Sequence, residues 1–164
     1  MKVQILLADK GTQNPQAGTL NLLNVGWSQT GLSSPAPGVS ITPAHAVAVF
    51  YEVEPHHCNH PIDLLLELVT QDGHEVQLPG PAGPQPMRVT QQITIPSPGG
   101  APSGTPGSGN TLLEVQPGLP LSPGGYEWRV TLAGEHREEW SASFRVVAPP
   151  NSQPVFGTGS PAPS

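Results

Sequence analysis

The sequence predicts an all-β protein, an antiparallel β-sandwich of about 8-9 strands with a Pro/Gly-rich loop and tail. Short apolar runs with a period of two recur between turn signals, whereas helical periodicity is hard to find. Proline and glycine, at 22 and 19 of 164 residues, separate these runs. This share approaches that of low-complexity sequence, so we expect a folded β domain interrupted by Pro/Gly insertions.

Nine segments have the apolar pattern of strands and are bounded by turn residues. In chain order they are Lys2 to Ala8, Thr19 to Val25, Ala44 to Val53, Ile62 to Thr70, His74 to Leu78, Met87 to Ile95, Thr111 to Val115, Tyr126 to Leu132 and Trp140 to Val147. "AVAVFYEV" and "IDLLLELV" are apolar on both faces over part of their length. That pattern predicts central strands, which are covered on both sides.

The last two segments alternate between apolar and polar residues, so each has one inward face. Trp128 and Trp140 lie on these inward faces and are predicted to be core residues. The short connection "AGEHREE" between the segments predicts an antiparallel hairpin at the C-terminal edge of the domain.

The stretch "LPLSPGGYEWRV" has the pattern of a strand-entry corner. In immunoglobulin-like and fibronectin-like sandwiches, a tyrosine at the start of such a strand hydrogen-bonds to backbone a few residues upstream. Leu121, Pro123, Gly124 and Tyr126 match this pattern. We therefore expect an immunoglobulin-like sandwich, a fold that hosts many functions and implies none.

Several short motifs also occur in an order that resembles a known family. They are "LLAD", "GTLNLLNVGW", "LLLELVTQDG", "PGGYEWRV" and "WSASFRV". Together they resemble an uncharacterised family of small β-sandwich proteins in actinobacteria and actinobacteriophages, a domain of unknown function. The resemblance covers residues 1 to about 147 and implies the fold but no chemistry; it does not extend to the Pro/Gly insertion near residue 100 or to the tail.

Composition divides the chain into a sandwich domain, residues 1-148, and a Pro-rich C-terminal arm, residues 149-164. Residues 96-109, "PSPGGAPSGTPGSG", form an insertion within the domain. Such sequence buries too little apolar surface to offset the entropy of ordering, so a flexible loop is expected. Val155 and Phe156 are the apolar pair of the arm and the natural anchor for a partner.

The charge pattern argues against nucleic acid as a partner. Six basic residues are scattered among twelve acidic ones, for a net charge of −6, whereas binding to phosphates needs a cationic patch. No apolar run reaches the roughly 20 residues that span a membrane, and the start is too short in apolar residues for a signal peptide. A single cysteine excludes an internal disulfide and fits intracellular synthesis.

Residues 55-61, "PHHCNHP", contain the densest group of metal-ligand residue types. His56, His57 and His60 are the candidate ligands, but they are too close in sequence for all to bind one tetrahedral ion with Cys58. A third ligand could come from elsewhere, with His45 and His74 as the candidates. The segment joins two predicted strands, so a solvated surface connection is the favoured interpretation. A nucleophilic Cys58 is less favoured, because neighbours on one loop rarely orient a base and a third group correctly.

Other candidate sites are weaker. No G-x-S-x-G motif, P-loop or dinucleotide fingerprint is present. Glu135, Glu138 and Glu139 could serve acid/base chemistry or calcium, but a solvated hairpin turn explains them more simply. Trp27 follows a predicted strand and either caps the core or lies exposed at a partner-binding interface, and capping is favoured.

The sequence therefore favours a non-enzymatic structural or protein-binding module without a cofactor. Its most specific form is a phage virion accessory component such as a capsid decoration protein, oligomeric or bound to a lattice of capsid or other assembly subunits. Neither nucleic acid nor a membrane is an expected partner. The alternative is a cytoplasmic β-sandwich that binds a small ligand or metal through the His56 to His60 loop.

Overall fold

A computed structural model describes residues 1-37 and 39-148. Fourteen strands and one 3₁₀ turn make up its regular structure. The strands are β1 (Lys2–Ala8), β2 (Lys10–Asn14), β3 (Thr19–Leu23), β4 (Gln29–Gly31), β5 (Ser33–Ala36), β6 (Val39–Ile41), β7 (His45–Val53), β8 (Pro61–Thr70), β9 (Gln77–Leu78), β10 (Gln85–Pro86), β11 (Arg88–Thr94), β12 (Gly107–Val115), β13 (Gly124–Leu132) and β14 (Glu135–Val147). The 3₁₀ turn, Pro55–His57, lies between β7 and β8.

Two larger sheets carry the fold. One has three antiparallel strands in the order β1-β7-β12, and the other has five in the order β11-β8-β13-β14-β4. All neighbours in the second sheet are antiparallel except β14 and β4, which run parallel. Three two-stranded sheets, β2-β3, β5-β6 and β9-β10, complete the architecture. The all-β prediction is therefore confirmed.

A single hydrophobic core joins the two larger sheets. Val47 and Val49 of the central strand β7 belong to this core together with Trp128 and Val130 of the central strand β13, and all four are fully buried. Alternation along each strand places these side chains on the inner faces, as in sheets packed face to face. The sequence prediction of Trp128 and Trp140 as core residues is confirmed, since both are at most 1% exposed.

The corner before β13 has the hydrogen bond that the sequence predicts. The Tyr126 hydroxyl donates to the backbone oxygen of Ser122 at 2.8 Å. Leu121 is buried in the core on the same corner. This bond ties the connection before β13 to the strand itself, and burial of the Tyr126 ring raises the pKa of its hydroxyl, so the hydroxyl stays a donor.

The β13-β14 hairpin is tighter than expected. Leu132 pairs with Glu135, so only Ala133 and Gly134 form the loop, and both have positive φ, 51° and 80°. Those angles are typical of the two-residue turns that match the twist of a hairpin. The prediction that Glu135, Glu138 and Glu139 belong to a turn is wrong, because β14 already begins at Glu135.

The Pro/Gly insertion also ends earlier than expected. β12 begins at Gly107, and Gly107 and Gly109 pair with Val53 and Tyr51 of β7. The last residues of the 96-109 segment are therefore part of the sheet. No helix among the described residues is long and apolar enough to cross a membrane.

Candidate functional site

Local backbone interactions determine the conformation of the histidine segment, residues 55-61. Pro55 opens the 3₁₀ turn, where its fixed φ suits the first position. Asn59 follows with φ 61°, a left-handed conformation that asparagine tolerates. Its side chain donates to Ser97 Oγ at 2.8 Å and accepts from Ser97 N at 3.2 Å. The segment is thus tied to the chain that follows β11.

One group of three ligand-type side chains occurs among the residues that the structure describes. Glu54, His56 and His57 each place a ligand atom within 4.8 Å of the others. The two histidine rings lie 4.1 Å apart between centroids, and His57 Nε2 is 3.9 Å from Glu54 Oε2. His60, which the sequence analysis proposed as a ligand, is outside this group, and Glu54, which it missed, is inside.

Glu54 already has a partner. The α-ammonium of Met1 donates to Glu54 Oε1 at 2.6 Å. This hydrogen bond, more than the accompanying charge attraction, lowers the pKa of the Glu54 carboxyl. Three ligands on a partly exposed turn are fewer than the four of a structural zinc site, so the group matches an open site.

Three other candidates from the sequence, Cys58, His45 and His74, lie outside this group. Cys58 is only 4% exposed, and its Sγ lies 3.8 Å from the backbone oxygen of Glu54. The expectation that the whole segment is solvated is therefore wrong at Cys58. His45 is buried at the start of β7 and His74 is exposed in the turn after β8, and neither joins the Glu54 group.

Trp27 packs against the core, which is the first of the two positions considered for it. Its ring meets His45 and Phe144 edge-on, each at 5.6 Å between centroids. Trp128 lies 6.4 Å from His45 on the inner side. Trp27, Trp128 and Phe144 thus surround the ring of His45. We call these four residues the aromatic box.

Three buried nitrogens of the aromatic box have no hydrogen-bond partner within the described part of the chain: Trp27 Nε1, His45 Nε2 and Trp128 Nε1. His45 Nδ1 lies 3.2 Å from Pro43 O. A carbonyl only accepts, so Nδ1 carries the proton and Nε2 is left as an acceptor. Burial lowers the pKa of His45 and keeps it neutral.

A groove of about 480 Å³ lies on the outer face of the three-stranded sheet. Phe50 contributes aromatic surface, and Gln4 and Asn110 contribute amides beside it. Lys2 Nζ donates to Glu52 Oε1 at 2.9 Å along the rim, and this bond raises the pKa of the lysine. Half of the ten lining residues are polar or charged, whereas small-ligand sites are lined mainly by apolar and aromatic side chains.

β11 forms an open edge of the five-stranded sheet, a feature that the sequence analysis did not single out. It pairs with β8 over seven residues without a register shift, and within the described chain no strand pairs with its other side. Six of its residues are exposed, and only Ile93 is buried. The strand contains neither lysine nor proline, the residues that commonly protect sheet edges.

Backbone hydrogen bonds at both ends of β11 show which backbone groups face the open side. Met87 O accepts from Leu68 N at 2.9 Å, and Ile95 O accepts from Asn59 N at 2.8 Å. Successive residues of a strand point their backbone groups to opposite sides, so the odd-numbered residues of β11 face β8. The even-numbered residues present N–H and C=O groups to the open edge: Arg88, Thr90, Gln92 and Thr94.

Val155 and Phe156, the predicted anchor of the arm, lie outside the described residues. The sequence matches no model of a known protein family and no curated protein. The resemblance to the actinobacterial and actinobacteriophage family therefore stays a prediction.

Proposed function

We propose that the chain is a non-enzymatic structural or protein-binding module. The open edge of β11 is the observation that carries this proposal. A regular seven-residue edge strand without lysine, proline or a bulge is a template for strand addition. Main-chain hydrogen bonds then give affinity, and the alternating side chains give specificity.

The specific form that we propose is a virion accessory component, such as a capsid decoration protein, held in a lattice of assembly subunits. It is supported by the resemblance to phage proteins and by the Pro-rich segments, because a polyproline-like strand loses little entropy when it docks. The immunoglobulin-like topology belongs to the same proposal and is supported by the Tyr126 corner bond.

The experiment separates particles from free protein in the source cells by sedimentation. We expect the chain in the particle fraction. A Thr90→Pro variant removes an N–H that faces the open edge and should weaken association about tenfold or more. Thr90→Ser keeps that N–H and is the matched control. Equal association of both variants, each shown to be folded by circular dichroism, would contradict a role for the edge.

Glu54, His56 and His57 favour a second candidate function, metal binding by a cytoplasmic form of the protein. Metal here has to compete with the Met1 ammonium for the Glu54 carboxylate. Zinc titration by calorimetry tests this candidate. Stoichiometric binding that is lost in His57→Ala and retained in His60→Ala supports it, and no binding by the unchanged chain excludes it.

A further inference from the structure

Building on the protein-binding function proposed above, we propose that β11 pairs with β11 of a second copy of this chain. The two strands run antiparallel about a two-fold axis at Gln91. Closed two-fold dimers are the commonest symmetric assemblies, and they need a surface that is complementary to itself. The residues of β11 meet this requirement in one register.

In that register Gln91 lies opposite Gln91 of the second copy. Val89 then faces Ile93, Thr90 faces Gln92 and Arg88 faces Thr94, so all seven residues find a partner. Apolar residues meet apolar residues, and hydroxyls meet amides or the aliphatic stem of an arginine. Moving the axis to Thr90 places Val89 opposite Gln91, and moving it to Gln92 places Gln91 opposite Ile93.

The backbone groups fit the same register. The outward N–H and C=O groups belong to the even-numbered residues, and the axis at Gln91 pairs even-numbered residues only with even-numbered ones. Thr90 with Gln92, and Arg88 with Thr94, thus form the hydrogen-bonded pairs of an antiparallel ladder. Odd-numbered residues form the intervening pairs, in which side chains approach more closely.

Those closer pairs lie on the core side of the sheet. Val89 and Ile93 pair with Leu66 and Ile62 of β8, which are buried core residues. Val89 is nevertheless 37% exposed at the open edge, whereas Ile93 is 8% exposed. The second copy's Ile93 would cover Val89 and continue the inner face across the axis. A shift of one residue would turn the inner face of one copy outward.

Charge does not oppose this pairing. Arg88 is the only charged residue of β11, and the axis places the two copies of Arg88 at opposite ends of the shared ladder, about 20 Å apart. Within its own chain Arg88 lies 3.9 Å from Glu75, which lowers the net charge at each end.

The test places a charge on the axis. Gln91→Lys sets two ammonium groups directly opposite each other in the dimer, but leaves an exposed lysine in the monomer. Gln92→Lys is the matched control, because Gln92 is exposed, faces Thr90 of the second copy and pairs with Asp63 of its own chain. Sedimentation velocity of the full chain measures the dissociation constant, and circular dichroism checks the fold.

We expect the unchanged chain and Gln92→Lys to reach twice the monomer mass of 17.1 kDa. Gln91→Lys should raise the dissociation constant about tenfold. An equimolar mixture of Gln91→Lys and Gln91→Glu should restore dimers, because opposite charges then meet on the axis. This rescue is specific to the register centred on Gln91.

Two results would overturn the inference: an unchanged chain that stays monomeric at all concentrations, or equal effects of the two lysine variants. Failure of the dimer is distinguishable from failure of the proposed function. If the chain is monomeric but Thr90→Pro still releases it from particles, the edge binds a different protein and only the second-copy assignment falls. If Gln91→Lys does not change the dissociation constant and Thr90→Pro does not change association with particles, both proposals are wrong.

Discussion

His45 shows how packing changes the chemistry of a single side chain. Its ring is 5% exposed and is surrounded by the other rings of the aromatic box. Charging it would place an imidazolium among aromatic rings with one carbonyl, Pro43 O, as its hydrogen-bond partner. Desolvation therefore outweighs that bond and lowers the pKa of His45 below its ordinary value of 6.5.

This lowered pKa predicts a loss of stability in weak acid. Below pH 6.5 the unfolded chain binds a proton at His45 that the folded protein does not bind. The free energy of unfolding should therefore fall as the pH drops from about 6.5 toward the lowered pKa, by at most about 1.4 kcal/mol per pH unit. Above pH 6.5 this group adds no pH dependence. Urea unfolding at several pH values measures the slope.

His45→Phe removes the titrating group and keeps an aromatic ring in the box, so its stability should fall less between pH 6.5 and 5 than that of the original chain. His74→Gln is the control, because it also removes one histidine, but at an exposed position outside the aromatic box. A His45→Phe variant with the same slope as the original chain would contradict the assignment.

At the level of elements, the start of β12 explains two glycines of the Pro/Gly segment. A Cβ on Gly107 would lie 2.7 Å from Cys58 Sγ and 2.9 Å from Ile95 Cγ2. A Cβ on Gly109 would lie 2.5 Å from the ring of Tyr51, the residue of β7 with which Gly109 pairs. These glycines are therefore needed for close packing, and Tyr51 covers the surface that Gly109 leaves bare.

Gly107→Ala should consequently destabilise the protein by about 1–3 kcal/mol through overpacking against Cys58 and Ile95. Gly99→Ala, in the same segment, meets no atom within 4 Å and should change stability by less than about 0.5 kcal/mol. Denaturant unfolding of both variants measures the difference. Equal stabilities of the two variants would contradict the prediction and would mean that the start of β12 shifts to accommodate a methyl group.

Strands with a strong pattern could be predicted from sequence, and strands without one could not. The prediction of β1 matches both bounds, because its apolar run is delimited by polar residues. The short strands Lys10–Asn14, Gln29–Gly31 and Gln85–Pro86 have no periodic apolar residues, so only pairing partners define them. The early starts of β12 and β14 depend on cross-strand packing, which a one-dimensional pattern does not contain.

The candidate sites divide in the same way. The histidine segment was visible by composition, but which of its side chains meet depends on the 3₁₀ turn, which brings Glu54 in and leaves His60 out. The sequence could not predict that β11 lies at an open edge, because the order of strands in a sheet depends on the topology of the fold. Cys58 packs beside Gly107, and Asn59 bonds Ser97; in both cases the two residues lie far apart in the sequence.

At the scale of the whole molecule, the described core extends along the chain from Ile5 to Val146. Both larger sheets contribute to it, and each strand that closes them lies within residues 1-148. We propose that the arm, residues 149-164, serves association with a partner. Stability and association should then respond to different parts of the molecule.

Truncation after Ala148 tests this separation. We expect the thermal midpoint to change by less than about 2 °C, because the truncated chain keeps every residue of the described core. Association with particles should fall, because Val155 and Phe156 would be lost as an apolar anchor. Changing both to serine should reproduce that fall, and Ser152→Ala should not. A truncated chain that unfolds much earlier would show that the arm belongs to the domain, whereas unchanged association would leave the β11 edge as the contact that holds the protein.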